Sequence, residues 1–158
     1  MAINPELATA QTGRELKRIV YSEQEIQARV SEMAVEISEA YGPEDELLVL
    51  GLLKGSFIFL ADLVRRIQRP LQVDFLVASS YGDGMKSSGM VNLLYDPEAS
   101  LEERGPRRLE VCPPLHKRVA ELDAEPRWVG FDAPQEFLVG YGLDYSENFR
   151  HLPFIGSL

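Results

Sequence analysis

The chain has little of what marks secreted or membrane proteins. Its 158 residues include one cysteine, Cys112, so no internal disulfide can form, as is usual in a reducing compartment. No run of about 18 apolar residues occurs. The first twenty residues carry five charges and no apolar core of signal-peptide length. We therefore expect a soluble, cytoplasmic protein with no membrane partner.

The chain also carries fewer positive than negative charges. The chain has 16 Lys and Arg against 25 Asp and Glu, which gives a formal net charge of −9. An acidic chain repels phosphodiester backbones as a whole, so nucleic acid is not an expected partner, although a local basic patch could bind a small phosphate ester. The length fits a single domain over 1–158 with a sizeable core.

The pattern of apolar residues alternates between helical and strand periods. Ser22 and Glu25 form a capping-box pair that begins an amphipathic helix over about 23–41. Leu47–Leu53 is a continuous apolar run, typical of a parallel strand covered on both faces, and 57–67 predicts a second helix. Further elements are predicted more briefly: strands over 71–79, 91–95, 109–112, 128–131 and 137–141, and a helical turn over 144–150. This order favours an α/β fold with a mainly parallel sheet flanked by helices.

Lys54-Gly55-Ser56 connects the predicted strand directly to the second helix. Free amides at the start of a helix and the helix dipole favour a bound anion there, and ligands bind at the carboxyl ends of strands in open α/β sheets. Ser56 is a candidate helix cap. The alternative is an ordinary strand–turn–helix connection with Lys54 in water.

Four segments carry a resemblance to a known family: "LLKGSFIFLADLVRRI", "VDFLVASSYGDGMKSSG", "LEVCPPLHKR" and "VGFDAPQEFLVGYGLDYSENFRHLPFIG". In this order the chain resembles the hypoxanthine (guanine) phosphoribosyltransferases from about residue 16 to 158. The resemblance implies a type I phosphoribosyltransferase fold with a small base-binding hood from the chain ends. It also implies purine salvage, in which 5-phosphoribosyl passes from phosphoribosyl diphosphate to hypoxanthine or guanine with Mg²⁺, giving a purine nucleotide. A homodimer or homotetramer is expected.

The resemblance assigns three positions to the loop that holds the diphosphate, namely Leu53, Lys54 and Gly55, with a cis peptide before the lysine. It places Arg150 near the diphosphate and Asp144 at the magnesium. Magnesium prefers oxygen ligands and keeps waters, so one carboxylate with substrate oxygens is a typical site.

The purine side of the site is assigned in the same way. Lys117 matches the donor to the 6-oxo group, Phe137 the aromatic that stacks on the base, and Leu138 the backbone that reads the base edge. A 6-oxo acceptor needs a donor, which favours hypoxanthine and guanine over adenine, while a preference for xanthine stays open. Ser80 and Tyr81 match the start of a mobile loop over about 80–90, a segment rich in glycine and serine.

Each of these residues also has an ordinary structural interpretation. Phe137 and Leu138 could be strand core, and Asp144 could cap a helix. Lys117 and Arg150 could simply be solvated. These alternatives stay open at the level of the sequence.

One diagnostic segment of the family has no counterpart between about residues 100 and 104. There the family carries an apolar strand, two adjacent acids and a Thr/Ser-Gly turn that holds the ribose 5-phosphate, and the catalytic base lies in it, so this residue is unknown here. About 25 residues are lacking by comparison. A longer parent chain, an inactivating deletion, or a hairpin through "DPEASLEERGP" would each explain this. A non-catalytic purine or nucleotide binder is the alternative function.

Overall fold

The computed structural model describes residues 13–80, 91–95, 110–117 and 125–158. The elements follow in chain order: β1 (Arg18–Tyr21), α1 (Glu23–Ala40), β2 (Leu47–Leu53), α2 (Phe57–Val64), β3 (Leu71–Ser80), β4 (Val91–Tyr95), β5 (Leu115–His116), β6 (Phe131–Asp132), β7 (Leu138–Val139) and β8 (Ile155–Ser157). The α/β class predicted from the sequence is confirmed.

Helix α1 begins where the capping-box pair predicts. The side chain of Ser22 accepts from the Glu25 amide, and the Glu25 carboxylate accepts from the Ser22 amide at 2.8 Å. These bonds satisfy amides that the first helical turn leaves free, and they lower the pKa of Glu25. The apolar face of α1 packs on α2 and on the chain end, forming a core whose buried members include Ile26, Val30, Met33, Phe59, Leu63, Leu138, Tyr141 and Ile155.

The parallel part of the fold consists of two strand pairs in separate sheets. β2 pairs in parallel with β3 over its whole length, from Leu47 opposite Leu71 to Leu53 opposite Val77. β4 adds to β3 in the antiparallel sense, and β5 pairs in parallel with β6. Gly51 faces α2, because a Cβ there would lie 2.5 Å from a methyl carbon of Leu60.

β2 is an edge strand in the described residues and is only partly covered, whereas the apolar run predicted a strand covered on both faces. No strand in 13–80, 91–95, 110–117 or 125–158 pairs with its second edge. Gly51 is its one buried residue, and Leu52 is 52% exposed. A hairpin through 96–106 lies outside the described residues.

The first and last described parts of the chain form the predicted hood. β8 is the middle strand of a three-stranded antiparallel sheet, with β1 on one side and β7 on the other. A second core cluster under this sheet contains Val139, Phe149, Leu152 and Phe154. β1 and β8 were not predicted from the sequence, since each is very short.

Several predicted boundaries differ from the structure. The second helix ends at Val64, before the predicted 67. Residues 144–150 are not helical, because Ser146, Glu147 and Phe149 have φ of 49°, 63° and 73°. The predicted strands at 109–112 and 128–131 are replaced by β5 and β6, a few residues further on. Among the described residues, no helix has the length and hydropathy to cross a bilayer.

Candidate functional site

The loop after β2 has the backbone geometry that the resemblance implied. The peptide bond between Leu53 and Lys54 is cis. The Ser56 hydroxyl donates to the Leu52 carbonyl at 2.6 Å and makes no cap bond to α2, so the predicted capping role of Ser56 is wrong. The hydroxyl ties the loop back onto its own strand.

The turn between β7 and the chain end lies directly on this loop. Gly142 has φ of 96°, and a Cβ there would lie 2.6 Å from the carbonyl oxygen of Gly55. Reciprocal hydrogen bonds of 3.0 Å between Gly140 and Leu143 close the turn. Glycine at 142 therefore permits both the left-handed backbone and the close approach. The contact brings Asp144 and its neighbours to the loop.

Four charged side chains meet beside this contact. The Lys54 ammonium lies 3.0 Å from Oε1 of Glu147, and Arg150 contacts Glu147 at 3.3 Å and Asp144 at 2.9 Å. Arg150 also donates to the Gly142 carbonyl at 2.8 Å. The hydrogen bonds from Lys54 and Arg150 lower the pKa of Glu147. The arrangement is two cations held around two carboxylates at the carboxyl end of β2.

These residues have the right chemistry for magnesium and a diphosphate. Asp144 is partly exposed, and its oxygens are bound by Arg150 and by the Glu147 amide. Magnesium needs few protein carboxylates when phosphate oxygens supply other ligands, so Asp144 fits the role of single carboxylate. The described residues contain no cluster of three or more candidate metal ligands.

The predicted purine-binding residues also come together. The Lys117 ammonium donates to the Glu136 carbonyl at 3.1 Å, one residue before Phe137. Phe137 is 44% exposed and lies edge-on to Tyr145, with 5.7 Å between ring centroids. Leu138 is buried in β7. The exposure of Phe137 is unlike strand core and leaves its ring available for stacking, whereas the side chain of Leu138 is core.

The remaining predicted residues are only partly described. Ser80 ends β3 and is paired through its backbone with Val91 in β4. Tyr81 and the rest of the predicted mobile loop, 81–90, lie outside the described residues, as does the segment around 100–104.

Sequence reasoning missed Glu147 and Tyr145. Glu147 contacts Lys54 and Arg150, and Tyr145 contacts Phe137. Their signal was their place in "LDYSENFR", between two residues already assigned.

Comparison with known proteins identifies relatives of this chain. No protein-family profile matches the chain. The hypoxanthine phosphoribosyltransferase of Salmonella typhimurium is 36% identical, with 89% of this chain and 94% of the relative aligned. The chain belongs to the hypoxanthine phosphoribosyltransferase family. A hypoxanthine-guanine phosphoribosyltransferase of Aquifex aeolicus is 39% identical, with 89% of this chain and 93% of the relative aligned. A crystal structure of a Bacillus anthracis hypoxanthine-guanine phosphoribosyltransferase superposes on 91% of this chain and 99% of that chain, with a TM-score of 0.81 and 35% identity.

The family alignment also measures the lacking segment. It runs over 167 positions for the Salmonella relative, whereas 89% of 158 residues is about 141, so about 26 positions have no residue in this chain. This number is close to the deficit of about 25 residues expected from the family pattern.

Proposed function

We propose that this member of the hypoxanthine phosphoribosyltransferase family has the base and diphosphate ends of a purine-salvage enzyme, which transfers 5-phosphoribosyl from phosphoribosyl diphosphate to hypoxanthine or guanine, and that the transfer itself requires the family segment lacking near residues 100–104. The observation that carries the proposal is a series of contacts joined by neighbouring residues of the chain. Lys117 contacts Glu136, which precedes Phe137, and Phe137 contacts Tyr145, which follows Asp144. Arg150 contacts both Asp144 and Glu147, and Glu147 contacts Lys54. A base donor, a stacking ring and a cluster of cations and carboxylates therefore lie along one surface.

At the base end, Lys117 would donate to the 6-oxo group of the purine, and Phe137 would stack on its face. Lysine donates and cannot accept, so hypoxanthine and guanine suit the site better than adenine, whose 6-amino group is itself a donor. A partly exposed ring offers a flat apolar surface to a purine.

At the diphosphate end, Lys54 and Arg150 would take the negative charge that leaves with the diphosphate. The Lys54–Gly55 loop offers backbone groups close to that charge. Asp144 would hold magnesium, which supplies further neutralisation of the diphosphate when bound. Glu147 must give up its contact with Lys54 for a phosphate oxygen to take its place.

Binding measurements test the assignment of the two ends. We expect calorimetric titration to show binding of magnesium diphosphate, and tighter binding of hypoxanthine and guanine than of adenine. Comparable affinity for adenine would contradict the role of Lys117. The named enzymes among the relatives favour the transferase over the non-catalytic purine binder that the sequence left open.

A further inference from the structure

A partly buried hydrogen-bond network joins Asp62, Gln27 and Tyr141, and Tyr141 belongs to the turn of the candidate site. Asp62 of α2 has a side chain only 13% exposed. Its Oδ2 accepts from the Tyr141 hydroxyl at 2.8 Å and from the Gln27 side chain at 2.9 Å. Its Oδ1 pairs with Arg65 at the surface. One carboxylate therefore joins α1, α2 and the turn after β7.

Tyr141 is an unusual residue for this turn. It is 4% exposed and has φ of 51°, between Gly140 at 95° and Gly142 at 96°. A non-glycine side chain in the left-handed region is unfavourable unless its surroundings hold it there. The Tyr141 amide donates to the Leu152 carbonyl at 2.8 Å, and the hydroxyl donates to Asp62. These two hydrogen bonds of Tyr141 hold the turn in place.

The charge state of the network suits a fixed hydrogen bond. Burial alone would raise the pKa of Asp62, but bonds from Gln27, Tyr141 and Arg65 outweigh it, and the pKa is lowered. Burial, followed by the bond to Asp62, raises the pKa of Tyr141. Near neutral pH an ionised carboxylate accepts from a protonated phenol, and such charge-assisted bonds are the stronger kind.

The 140–143 turn, which Tyr141 holds in place, is also the turn that contacts the Lys54–Gly55 loop. Gly142 touches the Gly55 carbonyl, and Asp144 follows two residues later. We propose that Asp62 is a positioning residue, which through Tyr141 holds the 140–143 turn against the Lys54–Gly55 loop and so sets the geometry of the diphosphate end. This inference rests on the proposed function for its ligand, while the placement of the turn does not depend on it.

The test compares two tyrosine variants that each lose one hydroxyl. Tyr141→Phe keeps the ring and removes the bond to Asp62. Tyr21→Phe is the matched control, because its hydroxyl donates to the Asp132 carbonyl at 2.5 Å, away from this turn. By calorimetry we expect Tyr141→Phe to weaken magnesium diphosphate binding about five- to tenfold, with hypoxanthine affinity within about twofold of the parent. Tyr21→Phe should change neither.

Variants of Asp62 separate positioning from general stability. Asp62→Asn keeps an oxygen that can accept from Tyr141 but loses the charge that strengthens the bond, so its affinity for magnesium diphosphate should lie between those of the parent and Tyr141→Phe. Asp62→Ala removes the bond to Tyr141 together with those to Gln27 and Arg65, so it should weaken magnesium diphosphate binding at least as much as Tyr141→Phe. The double variant should bind no more weakly than Asp62→Ala, since the bond between the two residues is already lost there. A purely structural role would lower melting temperature without separating the two ligands, and that result would overturn the proposal.

Amide hydrogen exchange tests the placement of the 140–143 turn without any ligand. Amides in 53–55 and 140–143 should exchange faster in Tyr141→Phe than in the parent and in Tyr21→Phe. Unchanged exchange would overturn the inference, even if the parent binds diphosphate. If the parent binds no diphosphate but the exchange pattern appears, the proposed function fails while the role of Asp62 in placing the turn stands.

Discussion

The ammonium of Lys54 lies 3.0 Å from the carboxylate of Glu147. An internal anion therefore occupies the position beside Lys54 that a phosphate oxygen of the proposed substrate would take. Arg150 shares the same carboxylate at 3.3 Å. Glu147 contacts both cations, so under the proposed function a phosphate would have to compete with it.

Glu147→Gln should accordingly strengthen binding of free diphosphate without magnesium. We expect an increase of about two- to fivefold, the size of effect that an exposed ion pair produces. The pKa of Glu147 lies below its ordinary value of 4.5, so the ion pair with Lys54 is intact at pH 4.5 and above and is lost only as the pH falls through the lowered pKa. The difference in diphosphate binding between Glu147→Gln and the parent should therefore vanish in stronger acid. Glu36→Gln, which loses an exposed pair with Arg29, is the control. Weaker binding by Glu147→Gln would contradict this account.

Replacement of Lys117 and of Lys54 by alanine should each weaken the binding of a different ligand. Lys117→Ala removes the proposed 6-oxo donor and should weaken hypoxanthine binding by about 1.5–3 kcal/mol, leaving magnesium diphosphate nearly unchanged. Lys54→Ala should do the reverse. Calorimetric titration of both ligands into both variants measures this, and equal losses for the two ligands would remove the division of roles.

Phe137 and Phe149 separate binding from stability. Phe149 is fully buried, so Phe149→Ala should lower the free energy of unfolding by about 3–5 kcal/mol. Phe137 is 44% exposed, so Phe137→Ala should cost less than about 1 kcal/mol in urea unfolding and still weaken hypoxanthine binding. A large loss of stability in Phe137→Ala would support its alternative role as strand core.

Cys112 should behave as an inert, half-buried thiol. Burial raises its pKa from 9.0 to about 12. Because the folded state holds the proton more tightly than the unfolded state, stability is unaffected below pH 9 and falls as pH rises from 9 towards 12. The expected decline is up to about 1.4 kcal/mol per pH unit. Cys112→Ala should lack this component in urea unfolding curves, and parallel pH profiles of the two proteins would show that the thiol is not protected.

The sequence predicted those elements whose signals are local. The capping-box pair placed the start of α1, and the apolar run placed β2. The exposure of Leu52 could not be read from that run, because it depends on which strands are neighbours. The helical turn predicted over 144–150 was wrong, because Glu147 and Phe149 adopt positive φ under tertiary constraint.

The site was predictable to the extent that the family resemblance assigned its residues. Contacts between distant residues were not, because no local pattern specifies them. Lys54 and Glu147 are 93 residues apart, and Asp62 and Tyr141 are 79 apart. Such pairs depend on the tertiary structure that brings the turn and the loop together.

The central claim is that this chain carries the proposed base and diphosphate ends of a purine phosphoribosyltransferase and lacks about 26 positions of its relatives, which the family resemblance assigns to the loop for the ribose 5-phosphate. Orientation of the reacting groups can supply about 7–11 kcal/mol, so its loss should abolish useful turnover. The decisive measurement is inosine monophosphate formation from hypoxanthine, phosphoribosyl diphosphate and magnesium. It compares the 158-residue chain with a version carrying the corresponding Salmonella segment between Ser100 and Arg104. We predict turnover by the supplemented protein and none detectable by the 158-residue chain. Robust turnover by the 158-residue chain, or none by a folded supplemented protein, would contradict the account.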